Sequence, residues 1–136
     1  MGKYSLETIR HSAAHVMAAA VQELYPDAKF DIGPATADGF YYDFDLPVRL
    51  NADDLAKIEE KMIEIANKRL PFVRTTMTRA DAEAALKARD QKYKLERLAD
   101  IPEDSEITFY ECGSFVDLCR GPHVENTHDV GAFKLL

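Results

Sequence analysis

The chain reads as an α+β domain, a largely antiparallel sheet with helices packed on one face. Three observations predict this. Stretches with alanine-rich or i, i+3, i+4 apolar spacing are interspersed with short stretches rich in β-branched and aromatic residues. A Gly113-Ser114 pair separates ITFYEC from FVDLC, the pattern of an antiparallel hairpin. The 136 residues, 46% of them apolar, suffice for one domain with one core.

Ser5 is placed to cap a first helix, with Glu7 in its first turn. That helix runs through RHSAAHVMAAAVQEL and must stop before Pro26. KFDI then reads as a short strand, GPATADG as turn chemistry and FYYDFD as an alternating strand. Period-2 geometry puts Phe40, Tyr42 and Phe44 on one face, and Tyr41, Asp43 and Asp45 on the other. Asn51 with Asp54 three residues on signals a second helix, whose stripe is Leu55, Ile58, Met62 and Ile65. It ends before Pro71. FVRTTMT is β-rich, and Thr78 with Asp81 opens a third helix through AEAALKA. KYKLERLA gives a further helical turn or two before the hairpin. VENTHDVGAFKLL is mixed.

Composition narrows the function. Net charge is -7, so the chain lacks the basic surface of a protein that grips nucleic acid unaided. No apolar run approaches the roughly 18 residues of a membrane span. No secretory h-region follows the N-terminus, so no membrane partner and a cytoplasmic location are expected. The two cysteines, Cys112 and Cys119, form neither a CxxC pair nor a disulfide framework.

Chemistry concentrates in two places. In FVDLCRGPH, Asp117 and Cys119 lie two apart on a strand and share a face. Gly121 and Pro122 then turn the chain, so that His123 can fold back toward Cys119. In the first helix, His11 and His15 are four apart and stack on one face, with small Ala13 and Ala14 between them. HxxxH plus CxxxH supplies three imidazoles and a thiol, the ligand types zinc favours. Each half alone is equally compatible with a structural role. Cys119 by itself reads as a small buried hydrophobe. Cys112 is expected in the core, and His128 on the surface.

The segments HSAAH, IGPATADGFYYDFD and DLCRGPH, in this order and spacing, resemble the editing (N2) domain of threonyl-tRNA synthetases. The similarity covers nearly the whole chain. Alanyl-tRNA synthetase editing domains and their free-standing relatives share the HxxxH…CxxxH skeleton but are less alike in the IGP…GFYYD segment. The resemblance implies the common editing fold of these synthetases and one domain over residues 1–136. It implies an aminoacyl-tRNA deacylase that hydrolyses seryl-tRNA(Thr). A missing methyl is worth only about 1–3 kcal/mol in a binding pocket, so serine must be removed by a second sieve.

Roles follow from the same resemblance. His11, His15, Cys119 and His123 would line the pocket floor and position water. Asp117 would bind the substrate's α-ammonium. Lys94 would assist water or the developing oxyanion. Gly33 and Pro34 would bring backbone close to substrate, and Tyr42 would stack on the adenine or close the pocket. No cofactor is required on this reading. If zinc is bound, its ligands would be His11, His15, Cys119 and His123. The partner would be the 3' aminoacylated end of tRNA(Thr), delivered by other domains of a homodimeric parent enzyme. Met1-Gly2 and the apolar end of the chain read as those of an excised piece without the aminoacylation core, the anticodon-binding domain or the ubiquitin-like domain. A free-standing trans-editing factor, an alanyl-type deacylase and a non-catalytic zinc module are the alternatives.

Overall fold

The computed structural model describes residues 4–135. Met1, Gly2 and Leu136, which bear on the reading of an excised piece, lie outside the described residues. Helix α1 (Leu6–Leu24) starts where Ser5 accepts a hydrogen bond from the Thr8 amide at 3.1 Å. Its alanines face inward, with Ala14, Ala18 and Ala20 fully buried, and this lets neighbouring elements approach closely.

A hairpin follows, made of β1 (Lys29–Phe30) and β2 (Phe44–Asp45). These strands are shorter than KFDI and FYYDFD predict, and the reason is a bulge. Phe30 pairs with Phe44 and Ala35 bridges Phe40, so the first arm carries one residue more than the second. The Asp31 amide donates to Asp43 O at 3.0 Å, while the Asp43 amide donates to Ile32 O at 2.8 Å. Two residues thus oppose one, next to Gly33-Pro34, where proline has no N–H for the ladder. The alternation of faces survives: Tyr42 is buried, Phe40 and Phe44 half-buried, and Tyr41, Asp43 and Asp45 exposed.

Helix α2 (Ala52–Asn67) opens on a reciprocal capping box between Asn51 and Asp54, both bonds at 3.0 Å. Ile58, Met62 and Ile65 of the predicted stripe are buried, and Leu55 is half-buried. Strand β3 (Val73–Met77) leads to α3 (Arg79–Ala88), whose cap Thr78 accepts from the Asp81 amide at 3.1 Å. Helix α4 (Lys92–Asp100) follows, then β4 (Ile107–Cys112), β5 (Phe115–Leu118) and a 3-10 turn (Thr127–Val130). The order in the larger sheet is β3-β4-β5, all antiparallel.

The α+β class and the antiparallel pairing are as the sequence reads. Among the described residues the strands fall into two sheets, one of two strands and one of three. Alternation along β4 and β5 divides the core. Ile107, Phe109 and Leu118 join Ala82 and Leu86 of α3 and Leu98 of α4. Cys112 and Phe115 join α1, α2, Phe30 and Tyr42. Among the described residues no helix is long and apolar enough to cross a membrane.

Candidate active site

One cavity of about 440 Å³ opens where α1, the hairpin bulge, α4 and the end of β5 converge. His11, His15, Gly33, Pro34, Tyr42, Lys94, Asp117, Cys119 and His123 all line it. Every candidate from the sequence is therefore brought to one place.

The bend after β5 has a specific construction. Gly121 sits at φ +72°, and a Cβ there would overlap the Tyr110 ring, so a side chain is excluded on two counts. The Gly121-Pro122 peptide is cis. Together they return His123 to Cys119, with Nε2 3.3 Å from Sγ. From the other side, His11 Nε2 lies 3.5 Å from the same sulfur. The His123 ring is stacked on Phe72 at 5.0 Å and meets Tyr110 edge-on at 4.5 Å. Burial holds the imidazoles neutral: His123 is lowered to about 2 by desolvation and by His15 and His11, and His15 to about 3 by desolvation. Desolvation lowers His11 less, since Asp117 and the Pro122 carbonyl favour its cation. The Cys119 thiol is pushed up to about 12 by desolvation and by Asp117, so it is protonated at neutral pH. It offers one proton to two imidazoles.

His15 departs from the expected ligand set. It is 2% exposed and packs edge-on to Phe72 and Phe115. Among the described residues neither ring nitrogen has a hydrogen-bond partner. The donor atoms that fit around one ion are those of His11, Cys119 and His123, all within 4.8 Å of one another. These are the types and spacing zinc takes, with a fourth position left for water. The four-ligand expectation thus contracts to three.

A second polar group faces this trio. Lys94 Nζ meets Asp117 Oδ1 at 2.9 Å, and both side chains are buried. Lys94 also donates to Leu118 O at 3.3 Å. The Tyr42 hydroxyl donates to Asp117 Oδ2 at 2.8 Å, and burial beside Asp117 raises that hydroxyl well above its ordinary pKa. The Tyr42 ring stacks on Phe44 at 5.0 Å and lies against Gly33, where a Cβ would overlap it. The Tyr42 ring thus packs on Phe44 and against Gly33, while its hydroxyl faces Asp117 at the cavity. Asp117 likewise already spends one bond from each oxygen.

The sequence reading passed over Ser12, which is fully buried and bonded to His123. Its position beside His11 was visible, but its partners were not. Glu7, read only as the first-turn acid of α1, and Arg120 also stand at the cavity wall.

The family described as "Threonyl and Alanyl tRNA synthetase second additional domain" matches residues 107–136, the stretch that carries Asp117, Cys119 and His123. More particularly, the chain is similar to threonine--tRNA ligases. It is 48% identical over 130 residues to that of Hahella chejuensis, 51% over 131 to that of Nitratidesulfovibrio vulgaris and 52% over 131 to that of Dehalococcoides mccartyi. Each match takes in 96% of this chain and 20%, 20% and 22% of the relative, respectively. The resemblance to the threonyl-tRNA synthetase domain read from the motifs is thereby shown, and the chain spans about a fifth of the length of these relatives.

Proposed function

We propose that this chain is a proofreading domain that hydrolyses the ester of seryl-tRNA(Thr). The observation that carries this reading is the meeting of the His11, Cys119 and His123 trio with the Lys94–Asp117 pair across one open cavity. The neutral imidazole of His11, whose cation Asp117 favours, accepts a proton from water as the water attacks the ester carbonyl carbon, and His123 positions that water. The developing oxyanion is stabilised by the Lys94 ammonium. The ester C–O bond then breaks, the ribose oxygen takes up the proton, and serine and the 3' hydroxyl of the terminal adenosine leave. The remaining lone pairs of Asp117 bind the α-ammonium, in competition with Lys94. Gly33 and Pro34, at the bulge, bring backbone to the cavity wall.

The reaction as written needs no metal. If zinc is held by His11, Cys119 and His123, it would supply a water of lowered pKa. Either way, other domains of a larger synthetase would deliver the tRNA end at high effective concentration, consistent with a net charge of -7. Side-by-side deacylation of seryl-, threonyl- and alanyl-tRNA tests the reading. Hydrolysis of the seryl ester with sparing of the threonyl ester is expected. Preference for the alanyl ester would point to the alanyl-type deacylase instead, and no hydrolysis of any would end the reading.

A further inference from the structure

We infer that Ser12 is a positioning residue, whose hydroxyl holds His123 in the tautomer protonated on Nδ1 and so turns the Nε2 lone pair toward Cys119 and the cavity. The inference deepens the proposed hydrolytic reading, since it fixes which nitrogen of His123 meets water or substrate.

The number of protons available at Ser12 fixes the tautomer. Among the described residues Ser12 Oγ has three polar neighbours: Thr8 O at 2.8 Å, the Val124 amide at 3.0 Å and His123 Nδ1 at 3.0 Å. The Val124 amide can only donate, and the Thr8 carbonyl can only accept. A hydroxyl carries one proton and two lone pairs. If that proton were directed at His123, two oxygens would face each other at 2.8 Å with no hydrogen between them. The proton therefore goes to Thr8 O, and His123 must donate from Nδ1. A neutral ring protonated there has its lone pair on Nε2, 3.3 Å from the Cys119 sulfur.

The arrangement also ties the bend to the helix, because the Val124 bond pins the backbone directly after His123. Outer partners of this kind set the tautomer and orientation of functional histidines, and losing them typically costs 10–100-fold in activity or metal affinity. Ser12 is buried against the helix backbone, so it acts through His123 and not on substrate.

Nitrogen-15 NMR of the histidine rings in the intact chain near pH 7 tests this directly. A protonated-type shift at His123 Nδ1 with an unprotonated-type shift at Nε2 is expected; the reverse pattern overturns the inference. In Ser12→Ala, a mixture of both tautomers and a kcat for the seryl ester lowered by roughly tenfold or more are expected. An unchanged single tautomer in that variant would also overturn it. The wild-type spectrum decides even if the variant does not fold. Absence of deacylation by the wild-type chain would remove the hydrolytic reading while leaving the tautomer assignment intact.

Discussion

Lys94 Nζ and Asp117 Oδ1 lie 2.9 Å apart with side chains only 7% and 6% exposed, so an ion pair is buried at the cavity wall. Each compensates the desolvation of the other, and Tyr42 takes the second carboxylate oxygen.

Removing one partner strands the other. Asp117→Asn leaves the Lys94 ammonium without its counter-ion, and breaking a buried pair in this way costs about 3–5 kcal/mol. Denaturant unfolding of Asp117→Asn, Lys94→Met and the double variant checks this. The double variant is expected to lose clearly less than the sum of the singles, with deacylation lost in all three. Additive losses would mean that the two charges are not coupled.

Acid should destabilise the domain through its histidines. Unfolded, an imidazole takes up a proton near its ordinary value of 6.5; folded, His15 does so only at about 3 and His123 at about 2. Between 6.5 and about 3 the unfolded chain therefore binds more protons, and stability falls as pH falls. Stability is complete above 6.5, and the loss is about 1.4 kcal/mol per pH unit for each imidazole. Unfolding free energies measured from pH 8 to pH 4 show the slope, and His15→Gln is expected to remove one imidazole's share. Equal slopes in the two proteins would remove His15 from the account.

Gly33→Ala places a methyl inside the Tyr42 ring. The ring must shift, and the Tyr42 bond to Asp117 lengthens with it. A loss of about 1–3 kcal/mol is expected from the overpacking, together with weakened deacylation. Gly39→Ala is the control, since nothing among the described residues lies within 4 Å of its added Cβ. Equal thermal shifts in the two would contradict the close approach at the bulge.

The metal question has a structural answer to test. The apolar clusters that hold the fold consist of α1, α2, α3, α4 and the strands, and the His11, Cys119 and His123 trio stands at the cavity wall. Chelation should therefore leave the melting temperature unchanged and deacylation intact. Elemental analysis of untreated protein accompanies the test. Cooperative unfolding on chelation, with stoichiometric zinc beforehand, would favour the zinc module.

Much of the fold was legible because helix caps and stripes are local. Ser5, Asn51 and Thr78 each bond an amide three residues on, within reach of rules that act over a single turn. The alternation in FVDLC put Asp117 and Cys119 on one side for the same reason, and both line the cavity. The bulge was not legible, because it exists only as a mismatch between two arms.

The sequence by itself determined the helices, the antiparallel hairpin and the two clusters of chemical side chains, since each depends on neighbours a few residues away. The tertiary structure alone decided how those clusters meet. Cys119 reaches His11 across 108 positions, and Ser12 reaches His123 across 111. It also set His15 among phenylalanines instead of in the trio, and committed the Tyr42 ring to packing. Which polar groups are buried, and against what, is settled by how the apolar surfaces of distant elements close together, and no local spacing encodes that.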